Sequence, residues 1–184
     1  MSDPGDLATF LAEAWQHLGR GVADSRSPAR YPTLATVSPN GLPEARTVAL
    51  RRASASESCV EVHTDLATPK VAALRATPKA ALHIWLPRAD LQIRLTADVS
   101  VLSGPDVQAA WDKVPPASRV SYGTAPDPGT PIADVYAYTK PPNRDRFAVL
   151  HCSLEHIDLV HLGARHRRAA FQRSDGWAGQ WLAP

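Results

Sequence analysis

The sequence predicts a mainly β, α+β chain: an antiparallel barrel with flanking helices. Three observations carry that expectation. From Tyr31 onward, short segments rich in Thr, Val and Leu alternate in polarity, the period-2 mark of half-buried strands. Turn-forming groups such as Pro39-Asn40-Gly41 and Pro87-Arg88-Ala89 divide these segments into consecutive hairpins. Neither a GxGxxG fingerprint nor a P-loop is present, so nothing marks a doubly wound nucleotide-binding sheet.

Taken in order, Asp6 to Gly19 reads as an amphipathic helix. Leu7, Phe10, Leu11, Ala14, Trp15 and Leu18 recur at helical spacing, and Gly19 and Gly21 offer a stop. Ala23 to Ala29 is a polar linker. Tyr31 to Ser38 and Glu44 to Arg52 are strands joined by the Asn-Gly turn, and Cys59 to Thr64 is a third. Thr68 to Arg75 is a short helix with Val71 and Leu74 on one face. Lys79 to Leu86 and Asp90 to Leu102 are longer strands. Gly104 to Val114 reads as a helix capped near Ser103. Pro115 to Thr139 is Pro- and Gly-rich loop, with a short helix around Ala117–Tyr122. Phe147 to Ser153 and His156 to Leu162 are strands, and His166 to Arg173 with Gly176 to Leu182 forms a closing hairpin.

The 184 residues, 44% of them hydrophobic and 21% charged, fit one packed domain. A net charge of +2 gives no field suited to nucleic acid or to an anionic membrane. The N-terminus shows no basic and apolar signal pattern, and no apolar run approaches the ~20 residues that span a bilayer, so a cytoplasmic location is expected. Cys59 and Cys152 lie in strand-like runs far apart, outside any CxxC pair. They are expected to be buried, reduced thiols. His151, His156, His161 and His166 recur in steps of five. That step keeps neither one strand face nor one helix face, so no metal site is expected.

Three stretches carry chemistry. The first hairpin delivers Arg46 and Arg51, whose odd spacing places them on opposite faces of a regular strand. Arginine clamps phosphate with paired donors, although solvated strand arginines are common. The second stretch, His63-Thr64 through Thr68-Pro69-Lys70, ends a strand and starts a helix. Free N–H groups, a hydroxyl and a lysine there make either an ordinary helix start or an anion site. The third is Gln92-Ile93-Arg94, with Gln92 and Arg94 on one face of a strand whose other face is apolar. Gln92 reads either as a donor and acceptor for a heterocycle edge or as part of a solvent-facing stripe.

In order and spacing, these stretches resemble the pyridoxamine 5′-phosphate oxidase superfamily of FMN-binding split barrels. The family's Arg-x-Val-x-Leu-(Lys/Arg) block stands here as Arg46-Thr47-Val48-Ala49-Leu50-Arg51. Its aromatic-Thr and Ser-Arg-Lys blocks stand as His63-Thr64 and Thr68-Pro69-Lys70. Its Gln-Val-Arg block is Gln92-Ile93-Arg94, and its terminal Arg-Leu-Ala-Pro is Trp181-Leu182-Ala183-Pro184. The resemblance implies a single split-barrel domain over 1–184, with an N-terminal helix at about 6–19 and the barrel at about 31–184. It implies a homodimer holding FMN at the subunit interface.

By the same resemblance, Arg46 and Lys70 hold the phosphate with the Thr68 hydroxyl. Thr47, Val48 and Ala49, with Leu50 following, line the isoalloxazine. Arg51 lies near its polar edge, His63 and Thr64 meet the phosphate or ribityl side, and Gln92 approaches from the partner subunit. The sequence departs from the family where substrate binds. The oxidases carry Arg-Leu-His-Asp-Arg near the C-terminus, and this chain has Gly163-Ala164-Arg165-His166-Arg167-Arg168. Arg165 and Arg167 are the candidate substrate residues. Pro69 replaces the middle arginine of Ser-Arg-Lys and removes one phosphate donor. The implied function is an FMN-dependent oxidoreductase acting on an unassigned small molecule. The alternative is a flavin-binding carrier or sensor without catalysis.

Overall fold

The computed structural model describes residues 5–184. Helix α1 (Leu7–Ala23) opens on Asp6, whose carboxylate accepts the Thr9 N–H at 2.8 Å. It buries Phe10, Ala14 and Leu18. Gly19 and Gly21 do not stop it, contrary to expectation. Gly21 is a packing residue: a Cβ there would stand 2.7 Å from the Ala29 carbonyl carbon. Only glycine lets the Pro28–Arg30 turn lie this close to the helix. Arg30 then returns its guanidinium to the Gly21 and Val22 carbonyls at 3.2 and 2.7 Å and closes the C-terminus.

Strands β1 (Thr33–Val37) and β2 (Pro43–Thr47) form the expected hairpin, with Gly41 at φ +84° in its turn. β3 (Leu50–Ser54), β4 (Cys59–Asp65), β5 (Lys79–Leu86), β6 (Leu91–Ser103), β7 (Phe147–His161), β8 (Arg167–Gln172) and β9 (Gln180–Leu182) complete a 9-stranded sheet. The hydrogen-bonded order is β2-β1-β5-β6-β7-β4-β3, and β8 and β9 branch from β7.

The predicted strand Glu44–Arg52 is therefore two strands. β2 and β3 follow one another in the chain, yet they end opposite edges of the hydrogen-bonded order and no ladder joins them. Val48 and Ala49 make the crossing, and the Val48 N–H donates to the Pro32 carbonyl at 3.0 Å. The sheet curls with this seam unpaired, so the architecture is a split barrel with flanking helices. A polarity pattern reports which face a residue takes, not which neighbour its strand pairs with, so the break left no mark in the sequence.

The two predicted strands at Phe147–Ser153 and His156–Leu162 are the single long β7. Leu150, Cys152 and Leu154 are buried before its bulge, and Ile157 and Leu159 after it. The parity flips at Glu155, which the ladder skips between the pairs Ala97↔Leu154 and Thr96↔His156. There β7 exchanges one neighbour for another: β4 pairs its first half and β8 its second.

Helix α2 (Pro69–Ala76) matches expectation, with Thr68 as N-cap residue and Pro69 in the first turn. The predicted helix Gly104–Val114 resolves into a 3-10 turn, Gly104–Val107, and the short α3 (Gln108–Asp112), with no side-chain cap from Ser103. The expected helix near Ala117–Tyr122 is a 3-10 segment, Pro116–Ser121. The closing hairpin is β8 and β9, joined through the 3-10 turn Arg173–Asp175 and Gly176. The barrel interior holds the main core, from Leu34, Leu50 and Val62 to Ile93 and Phe171. A smaller core of Val107, Trp111, Val114, Tyr122, Phe147 and Val149 seats α3 and the following loop outside the barrel. Cys59 and Cys152 are buried free thiols, and burial pushes Cys152 up to about 12. Among the described residues, no helix is long and apolar enough to cross a membrane.

Candidate functional site

Two clusters of cations flank the β2–β3 seam. The first gathers Arg46 from β2, Thr36 from β1, Thr64 from β4, and Thr68 and Lys70 from the start of α2. The register Leu34↔Arg46 lays the Arg46 side chain across β1, where its guanidinium donates to Thr36 Oγ1 at 2.7 Å. It also pairs with Glu44 at 2.7 Å, half-exposed at the edge. Lys70 Nζ donates to Thr64 Oγ1 at 3.2 Å, and the Thr64 and Thr68 hydroxyls lie 3.2 Å apart. Burial first, and then the neighbouring Arg46 charge, hold the Lys70 ammonium below its ordinary value, with Asp65 opposing. Two cations thus crowd one partly desolvated spot.

The turn before α2 is fixed by Asp65, a residue the sequence did not single out. Its Oδ1 accepts from Ala67 N and Arg146 Nε, both at 2.8 Å, and its Oδ2 from Gly123 N at 2.7 Å. Thr68 spends its hydroxyl on the Asp65 carbonyl at 2.7 Å, so no side chain caps the α2 N-terminus. Uncapped N–H groups, two hydroxyls and two cations suit a phosphomonoester.

The second cluster lies on the other face of the seam, at a cavity of about 410 Å³. Arg30, Arg51, His63, Lys113, Val114 and Tyr122 are among its lining residues. The register between β3 and β4 shifts at Arg51, from Leu50↔Val62 to Arg52↔Glu61, and Arg51 and Arg52 both line the cavity. Arg52 pairs with Glu57 and with Glu61, the latter at 3.1 Å. Among the described residues Arg51 makes no ion pair, and its Nε is buried without a hydrogen-bond partner. His63 packs edge-on against Phe147 at 4.9 Å. Burial first, then the Arg51 charge, push His63 down to about 4, Glu61 opposing. His63 and Thr64 therefore serve different clusters, as adjacent residues on a strand must.

Of the other sequence candidates, Thr47 is exposed, Val48 and Ala49 are half-buried on the crossing, and the Leu50 side chain lies in the core, leaving only its backbone at the seam. Gln92 sits on the outer face of β6, its Oε1 3.3 Å from His83 Nε2, on the side away from the apolar face as expected. Arg165 and Arg167 line a separate cavity of about 520 Å³ with His161, His166 and Trp181. None of its lining residues belongs to either cluster, and the Arg167 guanidinium stacks over Phe10 at 4.9 Å. The steps of five place the histidines apart: His151 bonds Glu61 at 3.0 Å, while His161 and His166 line the Arg165 cavity.

Thr36, Asp65, Arg30, Lys113 and Tyr122 were missed. Asp65, placed before a Thr-Pro helix start, is the one with a legible signal.

Residues 12–103 match the family described as pyridoxamine 5′-phosphate oxidase, FMN-binding domain. Among solved structures, the chain is similar to a pyridoxamine 5′-phosphate oxidase-related, FMN-binding protein from Nostoc punctiforme PCC 73102. Identity is 26%, TM-score 0.79, and all of both chains is covered. It is similar to PhzG from Burkholderia lata 383, solved with tetrahydrophenazine-1-carboxylic acid, at 20% identity and TM-score 0.72, over 99% of this chain and 95% of that one. A heme-binding protein from Mycobacterium smegmatis shares the fold at 16% identity and TM-score 0.54, over 89% of this chain and 60% of that one. No curated protein matches the chain.

Proposed function

The chain belongs to the pyridoxamine 5′-phosphate oxidase FMN-binding domain family, and from that premise we propose that it binds FMN and serves as an FMN-dependent oxidoreductase for a small molecule. The observation that carries this reading is the meeting of Arg46 and Lys70, two cations from separate segments that share one partly buried spot beside the Thr36, Thr64 and Thr68 hydroxyls. The FMN phosphate falls to Arg46, Lys70 and the Thr64 and Thr68 hydroxyls at the uncapped start of α2. The ring runs along Val48 and Ala49, and Arg51 marks its far, polar edge. When bound, the flavin supplies hydride or electron transfer. The chain's own residues hold and orient it. Pro69 takes no part, so the phosphate site has one donor fewer than the family pattern.

The working unit is a homodimer with FMN between subunits. Gln92 supports this: it faces outward on β6, beside Trp85, which is 41% exposed, and within its own chain it joins neither cluster. A second copy brings it to the ring.

Titration with FMN at micromolar concentration tests the reading. The protein is expected to turn yellow and quench flavin fluorescence, and to elute as a dimer by light scattering. Absence of FMN uptake defeats the proposal. Turnover of pyridoxine phosphate separates an oxidase from a non-catalytic flavin carrier.

A further inference from the structure

Cys59 and Glu61 stand two residues apart on β4 and so share one side of the strand. The β4–β7 register sets His151 directly opposite Glu61, and the β3–β4 register sets Arg52 beside it from the other flank. His151 Nδ1 lies 3.0 Å from Glu61 Oε1. The Cys59 sulfur, a Glu61 carboxylate oxygen and a His151 ring nitrogen all lie within 4.8 Å of one another. Among the described residues this is the one place where three such donors meet. Histidine spacing could not disclose it, because Cys59 and Glu61 join His151 only through strand pairing.

Ion pairing alone does not account for this set. Arg52 donates one guanidinium nitrogen to the Cys59 sulfur at 3.4 Å and to Glu61 at 3.1 Å, and pairs through the other with Glu57. Two carboxylates thus share one guanidinium, and the thiol contributes nothing to that pairing. Thiolate and imidazole are the ligands that borderline dications prefer. Tetrahedral zinc, with bonds of about 2.0–2.3 Å, holds its donors about 3.3–3.7 Å apart, so the three side chains need to close by only roughly 1 Å. The Arg52 guanidinium, touching sulfur and carboxylate at once, stands where such a cation would stand. Its side chain is partly exposed, which lets it swing toward solvent and keep Glu57.

We propose that Cys59, Glu61 and His151 form a binding site for one divalent cation of the zinc class, with a fourth position left to water, and that Arg52 is the internal cation this metal displaces. On binding, Arg52 withdraws from the sulfur and Glu61 and stays with Glu57. The Cys59 thiol proton leaves to solvent as the metal–sulfur bond forms, and His151 turns its Nδ1 lone pair to the metal with its proton on Nε2. Magnesium and calcium, which take oxygen ligands, are not expected to compete. The ion ties β4 to β7 across their ladder. It does not rest on the FMN reading, since none of the three ligands is assigned to the flavin.

The test is titration of the tag-free, reduced full chain with Co²⁺ and Zn²⁺. One equivalent of Co²⁺ is expected to give a thiolate-to-cobalt charge-transfer band and the intense visible bands of a tetrahedral ion, and Zn²⁺ to bleach both. Cys59→Ser is expected to abolish the charge-transfer band, while Cys152→Ala, in the barrel core, keeps it. His151→Gln is expected to lose roughly tenfold or more in zinc affinity by calorimetry. A variant at the buried Cys59 can fold poorly, so Arg52→Met supplies a second arm with a gain as its readout. Freed of the guanidinium, the site is expected to bind zinc at least about tenfold more tightly, with circular dichroism unchanged. No charge-transfer band with metal in excess, a band that survives Cys59→Ser, or a zinc affinity unmoved by His151→Gln or by Arg52→Met overturns the proposal. If the protein takes up no FMN, the FMN reading fails while these titrations still decide the metal site.

Discussion

Replacing Lys70 by methionine separates phosphate binding from every other contact the flavin makes. Among the described residues the ammonium has one hydrogen-bond partner, Thr64 Oγ1 at 3.2 Å, so donors remain for a phosphate oxygen. A hydrogen bond to a charged group contributes about 1.5–3 kcal/mol, so Lys70→Met is expected to weaken FMN roughly 10- to 150-fold. Riboflavin, which lacks the phosphate, should bind wild type and variant alike. Lys70 also predicts its own opposite effect on folding. Its proton is held less firmly in the native state than in the unfolded chain. Below the lowered native value both states carry the proton and the unfavourable contribution is fully present; it fades as pH rises through that value. The FMN-free Lys70→Met protein should therefore be at least as stable as wild type by urea denaturation, the pattern of a group kept for binding. Fluorescence-quenching titrations with both flavins decide the matter. Equal losses for FMN and riboflavin would mean that Lys70 shapes the barrel end and does not hold the phosphate.

Three further outcomes follow from single residues. His63 is pushed from 6.5 to about 4, so between those values the unfolded chain holds a proton the native state refuses. Stability should fall by up to about 3 kcal/mol as pH drops from 7 to 4, and His63→Phe should lack that part of the slope in urea melts at stepped pH. Asp65→Ala strips partners from Ala67 N, Gly123 N and Arg146. A loss of about 3–5 kcal/mol is expected, with FMN affinity falling as the α2 start loosens; a loss under 1 kcal/mol would show the turn holds without it. Gly21→Ala should gain about 1 kcal/mol of helix propensity but meet Ala29 backbone at 2.7 Å, and overlap of that kind costs about 1–3 kcal/mol. A net loss in thermal melts is expected, and a more stable variant would refute the close packing.

What was legible in the sequence was local. Alternation marked the faces of β1, β4, β5 and β6, and Thr68-Pro69 marked the α2 start, because those features depend on residues a few positions apart. The seam was not legible, because pairing partners are chosen across the whole sheet. Bulges hid for a related reason: Glu155 reverses parity inside one strand, and a reversed parity reads as two strands. The first cluster was readable as residue types, Arg46 and Lys70, though Thr36 enters it only through strand register. The second was not, since Arg30 falls between the predicted linker and the first strand, Lys113 near a predicted helix end, and Tyr122 at the end of a short helix in a loop.

The bulge at Arg51 ties the two clusters together. Leu50 is 1% exposed and faces the core opposite Val62. In an unbroken ladder Arg51 would face outward and Arg52 would point into the core beside Val60, a position no charge tolerates unpaired. The extra residue lets Arg52 meet Glu61 instead, so both arginines line the outer cavity. Arg52 then takes the carboxylate that Arg51 would otherwise use, and Arg51 is left with a buried, unbonded Nε. The odd spacing of Arg46 and Arg51 had placed them on opposite faces of one strand. The structure reaches the same separation by a different route, a crossing of Val48 and Ala49 that spans at most ~7 Å when extended. A ligand with a phosphate at one end and a polar ring edge at the other can touch both arginines only by lying along that crossing, where the barrel has no ladder to obstruct it.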